Sequence, residues 1–443
     1  MSDESSLSRD EKARLVDKMR ARQRHKSGSG AAVRMSTVPT VDVPDKFCRF
    51  DRFEGYQEIR TIEQGGKFLG IESPFFKTHE RVAGATAHIE GQEYINFASY
   101  NYLDLCGHPS VNAAAQAAIE RYGTSASASR MVSGERAIQQ TLEKALADLY
   151  DVDDCVAFVS GHATNVTSIG YLFGARDLIL HDALIHNSVV QGALLSGAHR
   201  MSFPHNDWQA LANLLEQHRQ DFERVLIVVE GVYSMDGDYP DLPQFIALKR
   251  QYKAFLMVDE AHSLGVMGAT GKGVREHFGL AGRDVDIWMG TLSKTLAGCG
   301  GYIAGETALV HHLRVSAPGF LYSVGMSPVL AAASYAALQV MLDEPYRVRQ
   351  LQANGERFLR LCQQRGVDTA YSKGFAVVPA ILGGSVRAGR AANALFAQGV
   401  NVQPIFPPAV EEGAARLRFF ISSAHNEAQL TYTADALAHV LAA

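Results

Sequence analysis

Short runs that are apolar at nearly every position, at residues 155–159, 177–180, 225–229, 255–258 and 286–289, constrain this chain more than any other feature. A strand with one solvated face alternates polar and apolar residues, and these do not. Between them, residues 163–173, 187–195, 208–219 and 242–252 carry the longer patterns of helices. Strands apolar on both faces and separated by helices predict a parallel sheet with helices packed on either side.

Polar residues follow each run directly. They are Ser160-Gly161, His181-Asp182, Glu230-Gly231, Asp259-Glu260 and Thr291-Leu292-Ser293-Lys294. In open α/β sheets a ligand binds outside the carboxyl ends of the strands, so these residues are expected to share one site. After Ser327-Pro328 comes an Ala- and Leu-rich helical stretch. It leads to Gly374-Phe375-Ala376-Val377-Val378-Pro379, residues 388–397 and Leu417-Arg418-Phe419-Phe420-Ile421-Ser422, which read as a smaller α+β domain.

The expected division is a charged tail or linker over residues 1–45, an arm and small-domain segment over 46–95, a large domain over 96–330 and a small domain over 331–443. Within the tail, Ser8 can cap a short helix, with Glu11 at its third position, continuing through Leu15, Val16 and Met19. It reads as a solvated charged helix, with a docking element for a partner protein as the sharper alternative.

Charge and cysteine usage remove several classes of function. Lys+Arg 42 against Asp+Glu 47 gives a net charge of -5, so no global positive field recruits nucleic acid. The five cysteines, Cys48, Cys106, Cys155, Cys299 and Cys362, are scattered without a CxxC spacing, against a disulfide framework or a structural zinc site and in favour of the reducing cytosol. No signal-peptide core opens the sequence and no apolar run reaches membrane-spanning length. The expectation is a soluble, cytoplasmic protein acting with a small-molecule or protein partner, without metal.

Lys294, with the two hydroxyl residues Thr291 and Ser293 just before it and followed by Gly298-Cys299-Gly300-Gly301, suits an amine that holds an aldehyde cofactor as an imine near a phosphate. Alone it reads as an exposed lysine before a flexible loop, but it has company. Asp259 and His262 end the run 255–258, where a carboxylate can keep a pyridine nitrogen protonated and so make pyridoxal 5'-phosphate an electron sink. His262 can then meet the phenolic oxygen of the ring. Outside this role, Asp259 would cap a helix and His262 would be a core imidazole.

Asp259-Glu260-Ala261-His262 also matches the acidic motif of DExH helicases. The phosphate loop such an enzyme needs is missing: Gly268-Ala269-Thr270-Gly271-Lys272-Gly273 has the wrong spacing and follows the acidic motif. Ser160-Gly161-His162 runs from a strand into a helix, whose first amides can hold a phosphate. His186, in His181-Asp182-Ala183-Leu184-Ile185-His186, offers an imidazole that can stack on a planar ring.

Taken in order, Ser160-Gly161, His186, Glu230-Gly231-Val232-Tyr233-Ser234-Met235-Asp236-Gly237, Asp259 with His262, and Thr291 with Lys294 resemble the α-oxoamine synthase family of fold-type I pyridoxal-phosphate enzymes. The resemblance runs from about Phe75 to His425 and includes Asn101-Tyr102-Leu103-Asp104-Leu105, His205-Asn206-Asp207 and Ser423-Ala424-His425. It implies an aspartate aminotransferase-like α/β fold, with a mainly parallel seven-stranded sheet in the large domain and a smaller α+β C-terminal domain.

By the same resemblance, Lys294 carries the cofactor and moves protons, Asp259 pairs the pyridinium, His262 and Ser234 meet the phenolic oxygen, and His186 stacks on the ring. Thr291, Ser160, Gly161, His162 and Ser323 hold the phosphate, Ser323 across a homodimer interface. Asn101 and Arg418 grip an amino-acid carboxylate. The implied reaction condenses glycine, alanine or serine with an acyl thioester, releasing carbon dioxide and leaving an α-aminoketone. Where many members carry a glycine-rich run, this chain reads Gly123-Thr124-Ser125-Ala126-Ser127-Ala128-Ser129-Arg130. That version looks like synthases serving polyketide or fatty-acid assembly lines, which favours acyl carrier protein over acyl-CoA. An aminotransferase of the same fold and a catalytically silent scaffold subunit are the competing readings.

Overall fold

The computed structural model describes residues 41–442. The chain divides into two compact units, residues 1–65 and 66–443. In the first, the short turns Asp45–Phe47 and Phe50–Arg52 precede a helix, Glu54–Phe68, that begins there. The helix expected around Leu15 lies outside the described residues.

The second unit opens with a hairpin of β1 (Thr86–Ile89) and β2 (Gln92–Asn96). The strands β3 (Asp154–Phe158), β4 (Leu178–Asp182), β5 (His199–Phe203), β6 (Val225–Glu230), β7 (Phe255–Asp259), β8 (Ile287–Thr291) and β9 (Gly301–Gly305) form one sheet. Its order is β3-β9-β8-β7-β6-β4-β5, and β9 alone runs antiparallel to its neighbours. Every residue of β4 and β6 is buried, as their unbroken apolar runs demand with helices on both faces. Toward the C-terminus, β10 (Val377–Gly383), β11 (Val400–Asn401), β12 (Gln403–Ile405) and β13 (Ala415–Phe420) follow. β13 lies between β10 and β12, while β11 joins the edge of the first hairpin beside β2.

Two strands of the large sheet escape the apolar-run rule, each for a physical reason. β5 is an edge strand with only Phe203 buried, so its sequence His199-Arg200-Met201-Ser202-Phe203 carries little apolar signal. β9 is buried throughout but begins and ends in glycine. A Cβ on Gly301 would stand 2.7 Å from the Cα of Gly161, so the strand crosses the start of a helix where no side chain fits.

The end of β3 is set by a buried ionic cluster. Glu143, on the helix Ala137–Tyr150, pairs with Arg130, accepts from Arg314 at 3.1 Å and receives the backbone N–H of Ala157 at 2.7 Å. Arg130 belongs to the turn Arg130–Gly134 that follows the Ser/Ala run, so that run is tied to the strand leading into Ser160. Substituting Glu143→Ala leaves the buried Ala157 N–H without its acceptor and Arg130 and Arg314 with one carboxylate partner each, Glu135 and Asp154. We expect a loss of about 1–3 kcal/mol in chemical denaturation.

Candidate active site

The parallel strands deliver their ends to one place. Register sets Glu230, the last residue of β6, opposite Asp259, the last of β7. Asp259 is 4% exposed, and no cation pairs with it among the described residues. Its carboxylate is held instead by hydrogen bonds from Asn165 Nδ2 and the backbone N–H of Ala261, both at 2.9 Å. A buried carboxylate without a counter-charge is costly, and a protonated pyridine nitrogen is the charge it lacks. Glu230 feels the same surroundings. Burial, with Asp259 adding to it, pushes its carboxyl well above 4.5, and it accepts the backbone N–H of His186 at 2.7 Å.

Asn165 extends the network to the other side. Its Nδ2 also donates to Ser188 Oγ at 2.9 Å, and Ser188 Oγ lies 2.7 Å from His186 Nδ1. Because Ser188 N–H also points at Nδ1, at 3.2 Å, that nitrogen is the acceptor and the ring is fixed on its edge. His186 caps the helix Asn187–Ser196, and burial lowers its pKa below 6.5 against the pull of Asp259.

Lys294 follows β8. Burial lowers its pKa from 10.5 to about 8, while Asp259 and Glu230 act in the opposite direction and Arg418 adds to the lowering. Its Nζ stands 5.7 Å from the centre of the Tyr100 ring. An amine so depressed is partly uncharged at neutral pH and therefore nucleophilic.

His262, one turn past Asp259, is buried. Desolvation, with Lys294, Arg418 and His186 adding to it, takes its pKa well below 6.5, so the imidazole is neutral.

A cradle closes the far end. The helix Gly161–Leu172 starts at Ser160, whose Oγ accepts from Ala163 N at 3.4 Å. A Cβ on Gly161 would stand 2.8 Å from Thr291 Oγ1, so only glycine lets the helix start meet the end of β8. The first amides of a helix have no acceptor within it, which suits a phosphate. The buried counter-charge gap, the depressed lysine and this cradle together fit pyridoxal phosphate.

Arg418, on β13, donates from Nη1 to the backbone oxygen of Ser234 at 3.2 Å and packs over Phe420 at 4.4 Å. Its Nε is buried without a partner among the described residues, a donor waiting for an acceptor. Asn101 is turned to its own loop. Its oxygen accepts from Leu105 N at 2.9 Å and Cys106 N at 3.0 Å, and its nitrogen donates to Ala83 O and Asp104, both at 3.3 Å. In this arrangement the open donor for a carboxylate is on Arg418.

Ser323 stands apart. It follows the short helix Pro318–Leu321 and makes no hydrogen bond to Thr291, Gly161 or His162. Its neighbours Tyr322 and Val324 are exposed.

Sequence reasoning gave no role to Asn165, Ser188 or His205, although His205 stood in one of the stretches that carry the resemblance. Asn165 lies one helical turn from Gly161, which is the only sequence signal that it shares the face of the cradle. His205 has both ring nitrogens on carboxylates, Nδ1 to Asp182 and Nε2 to Asp238, each at 2.9 Å. It bridges the loop that carries His186 to the loop that carries Ser234.

Three comparisons agree with this geometry. The family model described as aminotransferase class I and II matches residues 92–437. A protein of Geobacter sulfurreducens named 8-amino-7-oxononanoate synthase is 40% identical over 386 residues, covering 86% of this chain and 96% of its own. One of Desulforudis audaxviator, named a putative 8-amino-7-oxononanoate synthase, is 41% identical over 362 residues, covering 82% and 93%. Serine palmitoyltransferase from S. paucimobilis, solved with a bound PLP–myriocin aldimine, superposes with a TM-score of 0.84 at 27% identity, over 87% of this chain and 97% of that one. The chain belongs to the aminotransferase class I and II family. Within it, the chain is an α-oxoamine synthase that depends on pyridoxal phosphate.

Two measurements check the electrostatics. Covalent uptake of pyridoxal phosphate by the cofactor-free protein, read as a borohydride-reducible label on Lys294, should rise about tenfold per pH unit and level off above about 8. For His205, burial opposes the charge, but the bonds to Asp182 and Asp238 outweigh it and raise the pKa from 6.5 to about 10. A folded-state pKa above the unfolded one stabilises fully below 6.5 and less as pH climbs through 10. The stability gap between the native protein and His205→Gln in urea titrations should therefore be widest below pH 6.5 and close toward pH 10.

Proposed function

We propose that the protein catalyses the decarboxylative condensation of glycine, alanine or serine with an acyl thioester carried on acyl carrier protein, giving an α-aminoketone and carbon dioxide. The observation that carries this reading is the buried, unpaired Asp259 on one side of the site with the depressed amine of Lys294 and the open Nε of Arg418 beside it. When bound, pyridoxal phosphate supplies an electron sink for the carbanion formed at the α-carbon of the amino acid.

The chain's own groups would do the rest. Arg418 would orient the amino-acid carboxylate through Nε, with Asn101 holding the neighbouring loop. Lys294, as the free amine, would take the α-proton and later return one to the product. Asp259 would keep the pyridine nitrogen charged. His262 and Ser234 would meet the ring oxygen, and His186 would cover one ring face. Ser160, Gly161, His162 and Thr291 would hold the phosphate.

Ser323 would complete the phosphate site of a second copy, making the enzyme a homodimer with shared sites. The exposed side chains of Tyr322, Val324, Met131 and Val132 support an interface there. The carrier-protein preference rests on the Ser/Ala run before Arg130 and on the basic residues of the N-terminal segment, such as Arg20, Arg22, Arg24 and Lys26. No helix among the described residues is long and apolar enough to cross a membrane. The five cysteines, all free, support a cytosolic location.

The test adds each amino acid separately to the holoenzyme, then the thioester. We expect the visible cofactor band to shift with one of the three, and carboxyl-labelled carbon dioxide to appear only once the thioester is present. Acyl carrier protein should surpass acyl-CoA by at least about tenfold in kcat/KM, with the gap narrowing as salt screens the basic segment. Conversion of the amino acid to its keto acid, with the cofactor left as pyridoxamine phosphate, would instead identify an aminotransferase.

A further inference from the structure

Tyr102 takes no part in the chemistry above, yet it is one of the largest side chains in the core and fully buried. Its hydroxyl lies 2.7 Å from Nδ1 of His262, and this is its only hydrogen bond among the described residues. The partner ring is confined as well. It lies parallel to Phe420, with centroids 6.1 Å apart at 14°, and meets the edge of Tyr100 at 6.3 Å.

A neutral imidazole carries one proton, on either nitrogen. If it sat on Nδ1, that N–H would donate to the tyrosine oxygen, and the phenolic O–H would be left buried with nothing to accept it. A buried orphan donor is a substantial penalty. If it sits on Nε2, the O–H donates to the bare Nδ1 lone pair and both groups are satisfied. Burial pushes the phenol well above 10.0, so Tyr102 keeps its proton to donate. The same burial keeps the imidazole from holding two protons.

We infer that Tyr102 is a positioning residue that donates to Nδ1 of His262 and thereby holds the imidazole as the tautomer with its proton on Nε2. No protein acceptor meets Nε2 among the described residues, which leaves that N–H for a ligand. This deepens the proposed role of His262 and rests on it for its consequence. The cofactor's ring oxygen accepts hydrogen bonds when ionised, so an Nε2–H attracts it while a bare Nε2 lone pair repels it. Tyr102 would thus act on the cofactor's electronics without touching it.

The tautomer can be read in the cofactor-free and the loaded protein by NMR of 15N-histidine-labelled enzyme, with the His262 signals assigned by their loss in His262→Asn. In the native protein we expect the proton on Nε2 in both forms. In Tyr102→Phe we expect a mixture of tautomers, and in the loaded variant a shift of about one unit in the pH midpoint of the visible cofactor band. A proton on Nδ1 in the native protein overturns the inference, whether or not the variant folds, and so does an unchanged tautomer in a folded Tyr102→Phe. If the native tautomer is as stated but the His262 signals do not move on loading, the inference about Tyr102 stands and the placement of His262 against the ring fails.

Discussion

A carboxylate buried at the end of a central strand, with no cation among the described residues to meet it, is the constraint on which the site depends. Asp259 is buried, so its charge acts through a medium that screens it poorly. Its neighbour in register, Glu230, is driven toward the neutral form, and in that setting its oxygen holds the backbone of His186. Asn165 donates one N–H to Asp259 and the other to Ser188, which passes the order on to the His186 ring. Lys294 feels opposing forces: burial drives off its proton and the two carboxylates retain it. The balance near 8 would suit the proposed role of Lys294 as nucleophile and base in turn.

Around this centre the loops are fixed by polar contacts rather than by further sheet. His205 clamps the loop after β4 to the loop after β6 through two aspartates, and Arg416 binds Asp236 of the second loop at 2.7 Å. The loop bearing Ser234 is thereby tied to β13, the strand that supplies Arg418. Glycines serve the same end by absence. Where Gly161 and Gly301 cross, backbones approach too closely for any other residue, and a Cβ on Gly231 would stand 2.2 Å from Oγ and 2.9 Å from Cβ of Ser263. The site is therefore rigid where the cofactor's phosphate and ring would lie, as catalysis by fixed charges requires.

The strand ends were legible because the buried parallel strands that carry them write an unmistakable apolar run, and a polar residue directly after such a run must sit at the rim. That logic found Asp259, the Thr291–Lys294 turn and the Ser160 turn, whereas His186, farther from its strand, was singled out by the company of the other residues. It could not find Asn165 or Ser188, whose side chains lie on helices and reach the site only because two helices pack side by side. Nor could it see that the polar groups of Asn101 are occupied by the loop that follows it and by the backbone oxygen of Ala83. β5 and β9 escaped the same rule, one through exposure at the edge and the other through glycines.

The sequence by itself determined which chemistry the chain can support, because a lysine after the end of one apolar run, and an aspartate with a histidine three residues on after another, are properties of residue type and local spacing. It determined the sheet as well, since strands apolar on both faces have no stable arrangement except between layers of helix. Only the tertiary structure decided how protons and charges are distributed. Depressing Lys294, raising Glu230 and fixing the neutral form of His262 each depend on burial and on partners far away in the chain. Those distances are set by packing, and no local pattern encodes them.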